Sequence, residues 1–411
     1  MCLLKHVGGA FTHKPSELRD RLSTKASDLV KRAFEDVDGA RLVDYHTHIA
    51  GVGSGGTGAF VNPKMRTWGH PLHRLKFEVY LSAAGVEDER NADEQFVSRL
   101  AELVHHAGHR GRHRILAFDK NYSREGTANL EKTEFYVPNE YVFSLAEHHA
   151  DIFEPVISVN PYRADAALEL ERWSARGARC VKWLPNAMGI DPSDERCDSF
   201  YMKMRQLGLV LLSHGGEEKA VEAEEDQRLG NPLLLRRALD HGVKTIVAHC
   251  AGLGTSLDLD DPERKQVSNF RLFMRLLEES RYDGLVFGDI SAMTQVNRIG
   301  EPLSTVLARE DLHPRLVNGS DYPLPAVNAV IRTRPLARAG YLDEDEREPL
   351  REIYGFNPLL LRLRTQKTPP SARHRPTPSR IDVHGSPRPM TFGNQRASSS
   401  EYLCVRYAFK L

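Results

Sequence analysis

Residues 42–51 read LVDYHTHIAG, an apolar run that ends in two histidines one residue apart. In an extended strand successive side chains alternate, so His46 and His48 fall on the same face. Two imidazoles aimed at one point can give two neutral nitrogen ligands to a divalent cation such as zinc. His-x-His alone is weak evidence, and its meaning depends on what the rest of the chain places around it.

Working outward, seven further apolar runs follow RLVDYH: RILAF, EPVISV, CVKWL, LVLLS, TIVAH, GLVFG and RLVNG. Helical stretches separate them. Lys182 to His214 spans 32 residues and His214 to His249 spans 35, close to the roughly 31 per unit when about 250 residues form eight βα units. Alternating β and α segments favour a parallel sheet. A doubly wound sheet also alternates, but eight runs whose polar residues follow the apolar part suit closure into a TIM (β/α)₈ barrel.

Three of these runs end on further candidates. LVLLSHGGEE stops at His214 and TIVAHCAG stops at His249; RLVNGSDYP puts Asp321 just past the last run. Catalytic residues of such barrels belong at the ends of the strands. Singly, each histidine could cap a strand by bonding a loop carbonyl, and the aspartate could form a turn before proline. Four histidines and a carboxylate in this arrangement instead point to a divalent metal held among them. Gly319 reads as the residue that permits a tight turn before Asp321. Glu217 and Glu218 read as supports for His214 or as a helix cap.

The ordered set resembles the amidohydrolase superfamily, and in particular the amidohydrolase-related group that includes aminocarboxymuconate-semialdehyde decarboxylase, over residues 40–362. The resemblance implies that His46 and His48 on strand one, His214 on strand five and Asp321 on strand eight bind the metal, with His249 at the strand-six position. It also implies that Asp321 is general base and acid for a metal-dependent hydrolase acting on a small ester, lactone or amide. His249 would polarise the substrate or stabilise an oxyanion. Some members carboxylate the lysine at the position of Lys182, which would bridge a second cation; an unmodified Lys182 would instead meet a substrate carboxylate. One metal is the preferred count and two the alternative. Decarboxylases and hydratases share the scaffold, so a lyase is the alternative reaction, and a metal-binding protein without turnover is a third reading. By position after their runs, Arg163 and Asp289 are candidates to orient a polar substrate.

The remainder is organised around this domain. Residues 1–39 form an N-terminal extension, with an amphipathic helix expected from Ser16 to Phe34. Some 65 residues follow His48 before the second run, too many for a bare loop. Within them GVGSGGTGAF reads as a mobile hinge, less readily as a phosphate cradle, and HPLHRLKFEVYLSAAG and NADEQFVSRLAELVHHAG read as helices of a lid. Residues 363–411 are rich in Pro, Ser and Arg and are expected to be a disordered basic tail. His105, His106, His109 and His113 read as surface residues.

Fifty-six basic residues balance 56 acidic ones, which argues against a nucleic-acid binder working through an overall positive field. Five scattered cysteines and no apolar run of membrane length suggest a cytoplasmic protein with no membrane partner. The expected partner is a small-molecule substrate, with homo-oligomerisation possible.

Overall fold

The computed structural model describes residues 8–9, 12–35, 37–108, 111–221 and 224–360. The tail expected over 363–411 and His109 lie outside the described residues. All eight apolar runs form strands: β1 (Val43–His48), β2 (Arg112–Leu116), β3 (Phe153–Val156), β4 (Cys180–Trp183), β5 (Val210–Ser213), β6 (Thr245–Val247), β7 (Val286–Asp289) and β8 (Leu316–Val317). They pair in parallel as two ladders, β1–β2–β3 and β4 through β8. Two seams join the ladders. Ile157 pairs with Val181, and Thr47 with Tyr322; the Lys182 amide donates to Ile157 O over 2.7 Å and the His48 amide to Tyr322 O over 3.0 Å. The ring is therefore a closed (β/α)₈ barrel and not a doubly wound open sheet.

Helices Asn139–His148, Ala166–Ala175, Asp198–Gln206, Arg236–Asp240, Asn269–Glu278 and Glu301–Ala308 follow β2 to β7 in turn. The fifth of these shows why they pack: Phe270, Phe273, Leu276 and Leu277 recur at helical spacing and are buried, while Arg271 and Glu278 face outward. No helix among the described residues is long and apolar enough to cross a membrane.

Inside the ring, every strand contributes to a plug: Tyr45, Leu116, Val156, Cys180, Leu212, Ile246, Phe287 and Val317, with Val210 and Ala248 packed among them. Side chains two residues further along a strand point to the same interior one layer higher. This rule lifts Lys182, His214, Asp289 and Gly319 above the plug. β1 breaks it, because its register against β2 shifts between Asp44 and Thr47, where an extra residue forms a bulge. The bulge lets Tyr45 fill the plug while His46 and His48 still face the mouth, a re-aiming that simple alternation does not anticipate.

The N-terminal helix differs from expectation. It is broken into Leu18–Arg21 and Thr24–Phe34, because Ser23 starts a new helix by accepting the Ala26 amide on its Oγ. Ser23 is also tied to Glu352, through its amide at 2.5 Å and its hydroxyl at 2.6 Å. The insertion after β1 holds the two expected helices, Pro71–Ala83 and Ala92–His105.

The glycine-rich loop between them and β1 is neither a free hinge nor an empty cradle. Buried Asp93 accepts from Val52 N (2.7 Å), Gly53 N (3.1 Å), Ser54 Oγ (3.0 Å) and Thr57 Oγ1 (2.5 Å). The loop is wrapped around an internal carboxylate. His113 also departs from the surface reading: it is buried on β2, 3.3 Å from Thr47 Oγ1.

Candidate metal centre

His46 is fully buried, and its Nδ1 lies 2.6 Å from Asp289 Oδ2. An ionised carboxylate only accepts, so Nδ1 carries the proton and Nε2 presents a lone pair. That lone pair lies 3.0 Å from His48 Nε2 and 3.6 Å from Asp321 Oδ1, and His48 Nε2 is 3.3 Å from the same oxygen. Ligands about 2.0–2.1 Å from a tetrahedral ion sit about 3.3 Å from one another. The spacing of the three atoms brackets this edge length, so the donor set fits a divalent cation.

Local backbone explains how β1 and β8 meet. Asp44 Oδ1 accepts from the amides of His46 (3.0 Å) and Ser320 (2.8 Å), and the Asp321 amide donates to His46 O over 2.7 Å. Asp321 has φ 62°, a left-handed conformation that non-glycine residues adopt at a cost of about 1–3 kcal/mol. Gly319 does not supply that turn, since its own φ is not positive. It is needed because a Cβ there would stand 2.5 Å from Asp289 Oδ1 and 2.8 Å from His46 Cβ.

His214 is buried beside this group, just past β5, and lines the same cavity, but its nitrogens lie outside the tight cluster of His46, His48 and Asp321. Its Nε2 has no hydrogen-bond partner among the described residues, an orphaned atom of the kind a metal satisfies. Its Nδ1 is 3.5 Å from Glu218 Oε2, and Glu218 in turn accepts the amides of Ala220 and Val221. Burial, only partly opposed by Glu218, lowers the His214 pKa to about 4, so the ring is neutral as a ligand must be.

His249 arrives by a different route. Three residues beyond the plug residue Ile246, it is out of phase with the interior, and Ala248 occupies the inward position. His249, Cys250 and Ala251 all take positive φ, 55°, 47° and 50°, and this left-handed turn brings the ring to the cavity. Its Nδ1 lies 2.8 Å from Ser291 Oγ, whose hydroxyl donates to Asp289 Oδ2 over 2.7 Å. Nδ1 is thus the protonated nitrogen, and the neutral ring offers Nε2 as an acceptor. The expected oxyanion donor would need a protonated ring, which burial and then Arg298 disfavour.

Lys182 Nζ is 3.2 Å from His46 Nε2, at the same convergence point. Burial lowers its pKa to about 8, against the pull of Asp321 and Asp289. Two expectations for substrate contact are displaced. Asp289 does not line the cavity but orients His46, with Ser291. Arg163 is also away from the cavity: it donates to Asp119 at 3.1 Å and grips Asp165 with two bonds of 2.8 Å, so its donors are already engaged.

The cavity above the site has a volume of about 260 Å³. The insertion helices supply much of its apolar wall, through Phe77, Leu81 and Phe96. Sequence reasoning missed Asp44, Ser291 and Arg298. The first two act through backbone and hydroxyl bonds that leave no spacing signal, and Arg298 sits in an irregular loop.

A family model described as amidohydrolase matches residues 43–358. No curated protein matches the chain. Similar solved structures include an uncharacterised TIM-barrel protein from Bordetella bronchiseptica, 15% identical with TM-score 0.46, covering 76% of this chain and 99% of its own. A 4-oxalomesaconate hydratase from Rhodopseudomonas palustris is 13% identical with TM-score 0.39, covering 76% and 95%. An amidohydrolase from Burkholderia multivorans with bound zinc is 14% identical with TM-score 0.40, covering 75% and 95%.

Proposed function

The chain belongs to the amidohydrolase family, and on that premise we propose that it is a metal-dependent hydrolase that attacks a small ester, lactone or amide with water. The observation that carries this reading is the convergence of His46 Nε2, His48 Nε2 and Asp321 Oδ1 on one point, with His46 Nδ1 tied to Asp289. We assign His46, His48, Asp321 and His214 as the residues that hold one divalent cation, zinc by ligand type. When bound, that cation supplies Lewis acidity to polarise the substrate carbonyl and acidify water.

The chain's own groups then divide the work. Asp321 takes the proton from the attacking water and returns it to the leaving group. Asp289 and Ser291 fix the tautomers of His46 and His249. His249, with a bare Nε2, serves as a further proton acceptor or ligand. The apolar cavity excludes water, which strengthens each of these interactions.

Lys182 favours a second reading. A lysine nitrogen 3.2 Å from His46 Nε2 is placed either to bridge a second cation as a carbamate or to meet a substrate carboxylate, the latter suiting a decarboxylase or hydratase. Buried free thiols at Cys180, Cys197 and Cys250 support the cytoplasm as its location.

Metal analysis of protein purified without chelator tests the assignment, alongside an intact-mass measurement of Lys182 and parallel assays on lactones and aromatic carboxylates. The expected result is about one divalent ion per chain and metal-dependent turnover of the lactones. Two ions with a carbamate would replace the mononuclear site, turnover of the aromatic carboxylates alone would make the protein a lyase, and no retained metal would end the reading.

A further inference from the structure

The loop after β7 brings three polar side chains, Gln295, Asn297 and Arg298, to the cavity wall. Arg298 is only 7% exposed and Gln295 only 5%. Arg298 Nε and Nη1 and Gln295 Nε2 are buried and have no hydrogen-bond partner among the described residues, and Arg298 forms no ion pair among them. Nη1 is beside the His249 turn, 3.7 Å from where a Cβ on Gly252 would stand.

Asp321, Glu218 and Asp289 act on this guanidinium only through space, and a buried guanidinium whose N–H groups meet no acceptor is costly, since such groups are ordinarily matched. Other arginines of the barrel obey that rule: Arg163 is held by Asp119, and Arg114 by Glu154. Phe77, Leu81, Phe96, Phe118 and Leu184 give the same cavity a largely apolar lining, with Glu134 and Glu218 among its polar residues. An apolar cavity of about 150 Å³ accommodates benzene, so about 260 Å³ admits a ring bearing a carboxylate and a second substituent.

We propose that Arg298, with Gln295, is the anion receptor of this site and that the substrate is a carboxylic acid with an apolar, ring-sized body. Its carboxylate accepts from Arg298 and Gln295 Nε2, its body lies on the phenylalanine wall, and its reactive group is turned toward His46, His48 and Asp321. Only that last orientation rests on the metal-dependent reading above; recognition of the acid does not. Arg298 is thus a specificity residue, absent from any strand-end pattern.

The test is calorimetric titration of the full-length protein, metal-free and zinc-loaded, with benzoate, cyclohexanecarboxylate, their primary amides and inorganic phosphate. Both acids should bind both forms at least about tenfold more tightly than the amides, the range expected for hydrogen bonds to a charged group. Arg298→Gln should erase that preference, Arg298→Lys should keep part of it, and Gln295→Ala should weaken it. The melting temperature of Arg298→Gln is measured alongside, so that lost acid binding is read on folded protein. Equal affinity for acids and amides, absence of binding by either acid, or acid binding untouched by Arg298→Gln would overturn the proposal. Acid binding that vanishes on zinc removal and ignores Arg298 would overturn it while leaving the metal site standing. Arg298-dependent binding in a protein that retains no metal would do the reverse. Phosphate binding as tightly as benzoate would refute the apolar body.

Discussion

His46 donates its Nδ1 proton to Asp289 across 2.6 Å, and both side chains are wholly buried. This bond decides which nitrogen of His46 reaches the metal point. Asp289→Asn replaces an obligate acceptor with a group that can turn a donor toward the ring. Zinc affinity should fall about 10–100-fold, the usual effect of losing such a partner, as read by competition with a chromogenic chelator. Unchanged affinity would mean that other contacts hold the ring.

Asp321→Asn should lower turnover of the best lactone at least about 100-fold, because a carboxamide cannot shuttle the proton. Far-ultraviolet dichroism should stay that of the parent. Activity within a few-fold of the parent would remove Asp321 from the proton transfer.

Asp93→Asn tests the clasp of the glycine-rich loop. Four donors converge on the carboxylate, and an amide nitrogen in its place faces some of them with hydrogens. A loss of about 2–3 kcal/mol in urea unfolding is expected. A neutral result would show that the loop is held by its other contacts.

Gly319→Ala should destabilise by about 1–3 kcal/mol and weaken zinc binding together, since the added methyl meets both Asp289 Oδ1 and His46 Cβ. Loss of stability with full metal affinity would show that the strain is relieved away from His46.

Acid should unfold the metal-free protein through its buried imidazoles. The His214 pKa is lowered to about 4 by burial, against about 6.5 in the unfolded chain. The unfolded state therefore binds a proton below pH 6.5 that the folded state refuses until about pH 4. Stability from this group is complete above pH 6.5 and is lost as pH falls through that window, by up to about 3 kcal/mol. His46 and His249, also lowered by burial, act in the same direction. Melting temperature against pH should be flatter in His214→Gln; parallel curves for variant and parent would contradict the assignment.

The strand-end residues were legible because they stand at a fixed phase from an apolar run. Lys182 follows Cys180, and His214 follows Leu212, by two residues, and chain order alone places them on the inner face. His46 was assigned to that face by alternation, yet it reaches it through a bulge whose extra residue has no signature in VDYHTH. His249 ends an apolar run on paper but needs a left-handed turn to face inward. Arg163 follows its run as the ligands follow theirs, yet Asp119 and Asp165 claim it, a pairing set by tertiary contact. Arg298 lies in a loop without periodicity, and its importance comes from missing partners, a property that only three-dimensional packing defines.

Backbone torsions at residues 249–251 run against the handedness that L-amino acids favour, at about 1–2 kcal/mol each. Such a segment has no local preference to fall back on, and neighbouring packing keeps it in shape, including the Cys250 thiol beside Gly288, where a Cβ would stand 2.7 Å from the sulfur. If the scaffold around it softens, relaxation of this turn would carry the His249 ring out of the cavity, so turnover is expected to fail before the barrel unfolds, as parallel activity and dichroism melts would show.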